Sequence, residues 1–154
     1  MENRCVMKRL KSLLFIPLIV LSGCAKQKEP EEPKQEPHYE EVENLHIKWE
    51  NLFNQEDDKY YAYIYSVTCV PCSMLREQVI EFAKASYVHF YFIYPSDEIP
   101  FVENPAQADG SIGASSIENV YCYSTPCLIE ITDHTITNYS RDHYEIKDFM
   151  ETFV

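Results

Sequence analysis

The chain has 154 residues, with 25 Asp and Glu against 13 Lys and Arg and a formal net charge of −12. A surface that acidic repels nucleic acid and anionic headgroups and excludes both as electrostatic partners. The length sets one domain, and residues 41–154 are enough to hide about two-thirds of their unfolded surface around one core without a disulfide scaffold.

The N-terminal 23 residues carry Arg4, Lys8, Arg9 and Lys11, then the apolar run Ser12 to Leu21, interrupted by Pro17. Ten residues are too few for a membrane span of roughly twenty, and a basic start before a short apolar run reads as a cleaved secretory signal. Leu21-Ser22-Gly23-Cys24 resembles the lipobox of bacterial lipoproteins. That resemblance implies a signal peptide over 1–23 and a lipid on Cys24, the new N-terminus, with Cys5 lost in the leader. An ordinary signal peptide and an uncleaved anchor are the alternatives. The implied location is the extracytoplasmic face of a bacterial membrane. Nine Lys and Arg face 24 Asp and Glu from Cys24 onward. Residues 24–40 interleave Pro30, Pro33 and Pro37 with charges and bury little, so they read as a disordered tether.

In residues 41–55, Val42, Leu45, His46, Trp49, Leu52 and Phe53 recur with helical period and predict an amphipathic helix, with Trp49 a packing residue. Lys59 to Ser66 is dense in Tyr and Ile without that period and predicts a buried strand. Pro71 to Ser86 carries Met74, Leu75, Val79, Phe82 and Ala83 as a helical stripe. Tyr87 to Tyr94 is apolar on both alternating faces, the pattern of a central strand covered on both sides, with His89 read as a core histidine. Strand, helix, strand implies a parallel βαβ unit. Residues 96–111 predict an irregular loop, with a short helix over Gly113 to Asn119. Cys127–Thr132 and Thr135–Tyr139 predict a hairpin turning at Asp133 and His134. Asp142 and Glu145 form a capping box for a closing helix with Ile146, Phe149, Met150 and Phe153 inward.

Chemistry concentrates at Cys69-Val70-Pro71-Cys72, at the junction of the predicted strand and helix. A helix N-terminus offers unpaired N–H groups and partial positive charge, which stabilise a thiolate on Cys69. Cys72, one turn on, lies on the same face and can resolve a mixed disulfide. Pro71 fits the first turn, where its missing N–H costs nothing. Well downstream stands Ser124-Thr125-Pro126, opening a strand.

Taken in order, these elements over residues 41–154 resemble the thioredoxin superfamily. The resemblance implies an α/β fold with a central mixed β-sheet flanked by helices, the CxxC at a helix N-terminus and a cis-proline loop facing it. It implies that Cys69 attacks substrate disulfides, that Cys72 resolves, and that Thr125 and Pro126 line the substrate groove beside Val70 and Pro71. No bound cofactor is implied beyond a redox-active Cys69–Cys72 disulfide. The implied partners are protein thiols or disulfides and, for a reductase, a membrane electron-transfer partner.

Three features depart from the family pattern: Thr68 stands where Trp is common, Tyr63 where cytoplasmic thioredoxins keep an acid six residues before the first cysteine, and Val70-Pro71 lies between the cysteines. Val-Pro adds no cation to the thiolate, which favours a reductase or isomerase over a strong oxidant. Cys122 and Cys127 flank the Thr-Pro segment. They could form a second disulfide, remain free thiols, or exchange or share a metal with Cys69 and Cys72; zinc or copper would suit four thiols. The rival to an enzyme is a redox-inactive accessory lipoprotein that uses the same groove to bind a client protein or a metal.

Overall fold

The computed structural model describes residues 38–95 and 98–153. The leader, Cys5, Cys24 and the tether as far as residue 37 lie outside the described residues. A four-stranded mixed sheet in the order β2-β1-β3-β4 organises the rest.

β1 (Lys59–Ile64) runs parallel to β2 (His89–Ile93) and antiparallel to β3 (Cys127–Thr132), which pairs antiparallel with β4 (Thr135–Ser140). β1 is thus interior, and every residue from Tyr60 to Ile64 is buried. Alternation divides its side chains. Tyr61 and Tyr63 face a layer with Leu75, Val79, Ile80 and Phe82, while Tyr60, Ala62 and Ile64 face a second layer with Trp49, Leu52, Ile129 and Ile131.

The first layer is roofed by α1 (Val70–Ala85) and α3 (His143–Glu151). α1 starts where Cys69, in extended conformation, caps it and stops where Ser86 turns left-handed at φ 54°. Its buried face carries Leu75, Val79, Ile80, Phe82 and Ala83, but Met74 of the predicted stripe points to solvent. α3 is capped by Asp142, whose carboxylate accepts from the Tyr144 N–H at 2.7 Å, one residue earlier than a capping box requires. Ile146 and Met150 are its buried anchors.

The predicted helix over 41–55 is corrected by the structure. The chain makes a 3-10 helix at Tyr39–Leu45, an extended step, and a second 3-10 turn at Trp49–Asn51. The reason is which layers the apolar residues fill: Val42 packs with α1, whereas Trp49 and Leu52 pack on the opposite face of the sheet. One helix cannot serve both faces, so the chain rounds the sheet edge. There His46 bridges to Phe92 and the Ile47 N–H donates to the Phe92 carbonyl at 2.9 Å. β2 is accordingly next to an edge strip rather than central, although Phe90, Phe92 and Ile93 are covered on both faces. Tyr39 and Glu40, assigned to the tether by composition, belong to this first 3-10 helix, and Tyr39 stacks on Tyr65 with ring centroids 3.7 Å apart. His89 is not a core residue. It sits exposed with Nδ1 3.0 Å from Asp57 Oδ1.

The second layer is covered by the connection from β2 to β3, which contains a one-turn helix, α2 (Pro105–Asp109), and a 3-10 turn at Ile117–Asn119. The short helix predicted over 113–119 is a single 3-10 turn at its end, and α2 is an additional helix in the stretch predicted to be irregular, formed because Asn104 caps it through the Ala106 N–H at 3.0 Å and Pro105 opens it. Gly113 follows with φ 91°, and its N–H donates to Ile136 at 2.8 Å, tying the connection to β4. Buried Ser111 bonds both the N–H and the carbonyl of Tyr121. The β3–β4 hairpin turns through Asp133 and His134, both at positive φ, a two-residue turn whose twist suits the strands.

Candidate active site

The end of β1 delivers the chain to a turn at 66–69, where the Cys69 N–H donates to the Ser66 carbonyl at 3.2 Å and the Ser66 and Thr68 hydroxyls meet at 3.0 Å. Cys69 then caps α1. Its Sγ accepts from the Cys72 N–H at 3.1 Å, and no acidic residue lies in the first turn to oppose negative charge. The two cysteines are joined as a disulfide with Cα atoms 5.2 Å apart. Cys69 is half-buried and Cys72 fully buried, so an approaching group reaches Cys69 first.

Across from Cys69 lies the segment before β3. The Thr125–Pro126 peptide bond is cis, and the Thr125 carbonyl oxygen stands 3.2 Å from Cys69 Sγ. In the dithiol form that oxygen is placed to accept from the Cys69 thiol. Thr125 is half-buried whereas Pro126 is buried, so it is Thr125 that borders the open side. A Cys-x-x-Cys capping the helix after an interior strand thus faces a cis Thr-Pro at the mouth of an antiparallel neighbour, in a β2-β1-β3-β4 sheet. The fold is thioredoxin-like.

No family model and no curated protein matches this chain. Among solved structures it is similar to mitochondrial thioredoxin 3 from Saccharomyces cerevisiae, with 15% identity over 70% of this chain and 93% of that one at a TM-score of 0.43. It is similar to Plasmodium falciparum thioredoxin, with 13% identity over 71% and 98% at 0.44. Thioredoxin f of the spinach chloroplast gives 11% identity over 78% and 98% at 0.43.

Tyr63, six residues before Cys69, packs in the same buried layer as Cys72. Its hydroxyl is buried, and the Tyr39 hydroxyl is its strongest polar neighbour. Burial pushes its ionisation far above the usual tyrosine value, so it keeps its proton at neutral pH and cannot act there as a base.

A collar of apolar side chains surrounds the disulfide: Val67 is 65%, Val70 70% and Met74 64% exposed. Beside it opens a cavity of about 540 Å³ whose walls include Tyr39, His46, Tyr65, Val67, Arg76 and Tyr94. His46 Nε2 lies 2.8 Å from the Tyr65 hydroxyl, fixing one wall. Val67, Met74 and this cavity were not among the sequence candidates. The signal for Met74 was its position two residues past Cys72, on the far side from Leu75.

The structure therefore brings Cys69, Val70, Pro71, Cys72, Thr125 and Pro126 together. Cys122 and Cys127, which flank the Thr125–Pro126 segment, are free, buried thiols packed in the layer across the sheet from Cys69 and Cys72. Among the described residues, no three His, Cys, Asp or Glu side chains gather as a metal-holding group.

Proposed function

We propose that this chain is a thiol–disulfide oxidoreductase acting on protein disulfides, anchored by a lipid on Cys24 at the extracytoplasmic face of a bacterial membrane and working as a reductase. One observation carries the chemistry: Cys69 Sγ sits at the N-terminus of α1, accepting the Cys72 N–H and facing the Thr125 carbonyl. In the reduced enzyme, the Cys69 thiolate attacks one sulfur of a substrate disulfide and expels the other as a thiolate, which takes up a proton. Cys72 loses its proton and attacks Cys69 Sγ, expelling the second substrate thiolate. The substrate gains two electrons and two protons, and Cys69–Cys72 is left oxidised for a dithiol donor at the membrane to reduce. The exposed collar of Val67, Val70 and Met74 gives an unfolded client an apolar landing surface around the exchanging sulfurs.

The anchoring rests on the basic leader, its short apolar run and Leu21-Ser22-Gly23-Cys24. Replacing Cys69 by Ser abolishes reduction of insulin disulfides, and Cys72→Ser accumulates mixed disulfides. Full turnover by the Cys69 variant would sink the proposal. Incorporation of labelled palmitate that vanishes in Cys24→Ser tests the anchor.

The accessory-binder reading draws on Tyr63, which leaves the pair without a buried carboxylate to move its protons. It predicts a Cys69–Cys72 pair that exchanges with no protein disulfide.

A further inference from the structure

Cys122 and Cys127 take no part in the exchange at Cys69, yet the fold holds them with care. Both are wholly buried. Main-chain bonds fix Cys122: its N–H donates to the Pro100 carbonyl at 3.0 Å, and its carbonyl accepts from the Val102 N–H at 2.8 Å. Cys127 opens β3 opposite Ile64 of β1. Cys122, Cys127 and Tyr139 pack in one buried cluster, and the Cys127 thiol and the Tyr139 hydroxyl both act electrostatically on Cys122. That hydroxyl also accepts from the Tyr123 N–H at 3.2 Å. Three protic side chains thus gather in a layer built mostly of Ile, Leu, Val, Ala and Trp, where apolar groups of the same size would avoid the cost of burying polar ones. The residues between the thiols, 123–126, form the loop whose Thr125 carbonyl touches Cys69.

We propose that Cys122 and Cys127 are a second dithiol–disulfide couple, stapling the base of the loop that faces Cys69. The oxidant is a small-molecule disulfide of the glutathione class. One of the pair, deprotonated, attacks a sulfur of that disulfide, forming a mixed disulfide and expelling one thiolate. The other then loses its proton and attacks the protein sulfur, expelling the second thiolate. The pair loses two electrons, the small disulfide gains them, and the two protons end on the expelled thiols. The neighbouring Cys127 thiol and burial hold Cys122 protonated, so exchange at this pair is slow. Cys69 answers each encounter, whereas this couple registers sustained oxidising conditions. When oxidised it ties residues 122 and 127 at the base of the loop that carries the Thr125 carbonyl.

The test uses the full chain carrying Cys69→Ser and Cys72→Ser, so its outcome does not depend on the oxidoreductase reading. The reduced protein is equilibrated against graded ratios of oxidised to reduced glutathione, denatured in an alkylating reagent and mapped by peptide mass spectrometry. The expected product is an intramolecular Cys122–Cys127 disulfide, reversed by reduced glutathione. It should form at least about tenfold more slowly than Cys69–Cys72 forms in the unsubstituted chain, because both thiols are wholly buried. Both thiols alkylated at every ratio, or glutathione adducts alone, overturns the couple. In the unsubstituted chain, brief limiting reductant reopens Cys69–Cys72 while the slower bond persists. The Cys69 alkylation rate should then differ at least about threefold from that of the fully reduced chain, given the contact between Thr125 and the sulfur. Equal rates overturn control of the groove.

Discussion

Thr125 places its carbonyl oxygen 3.2 Å from Cys69 Sγ, joining by one main-chain contact two residues 56 positions apart. The helix side of the same sulfur is held by the Cys72 N–H at 3.1 Å. The first contact favours the thiol and the second the thiolate, so the reactivity of Cys69 is a balance between an acceptor and a donor on opposite sides.

The donor has the helix behind it, and α1 is 16 residues long. The Cys69 alkylation rate should therefore rise with pH around a midpoint below about 8.5, the ordinary cysteine value. Iodoacetamide kinetics on the reduced protein between pH 5 and 10 measure it. A midpoint at or above that value contradicts the dominance of the helix terminus.

Tyr63 carries a buried hydroxyl whose strongest polar neighbour is the Tyr39 hydroxyl. Deleting it relieves a desolvation cost and loses at most that one contact. Tyr63→Phe should match the parent or gain up to about 1 kcal/mol in urea unfolding, with insulin reduction unchanged. A loss of activity larger than about tenfold would mean that the hydroxyl takes part in proton movement.

Glu130 is pushed upward by partial burial, but the Thr137 hydroxyl and Lys59, at 2.9 and 3.2 Å, outweigh this and hold its carboxyl below the usual glutamate value. A depressed folded-state value stabilises the protein above the unfolded value of about 4.3 and is lost as pH falls through the folded one. Glu130→Gln should cost up to about 1 kcal/mol at pH 7, with the gap to the parent closing below about pH 4. Parallel urea midpoints at pH 7 and pH 3 would refute the assignment.

Gly113 sits at φ 91° with open space where a Cβ would stand. Any cost of Gly113→Ala is then backbone strain alone, about 1 to 2 kcal/mol. Denaturant midpoints check it. A neutral result would mean that the turn relaxes without losing its bonds to β4.

The unit from β1 through α1 to β2 was legible because each segment has one environment. Tyr60 to Ile64 is buried on both faces, and the α1 stripe faces one layer. Val42 to Leu52 was misread because its apolar spacing mimics one helical face, while the residues serve two layers on either side of a sheet. The Cys69–Cys72 pair announced itself through side chains. The Thr125 contact did not, since the touching atom belongs to the main chain and its identity leaves no mark on composition or period. Cys122 and Cys127 showed in the sequence as a pair flanking Thr125-Pro126. Their burial together with Tyr139 is a tertiary fact, set by the way β4 returns beside β3.

The strip at His46 and Ile47 occupies the outer rim of β2 with little more than one bridge and one N–H donation to Phe92. Were it peeled away, a row of unsatisfied main-chain groups on β2 would be offered to any neighbouring chain, the geometry from which intermolecular β-assembly grows. The Tyr39–Tyr65 stack and the His46–Tyr65 contact clamp that strip from the side on which the chain enters. The entry segment thereby acts as a guard against self-association, and mechanical load arriving from the N-terminal side would meet this aromatic clamp before it reached the sheet.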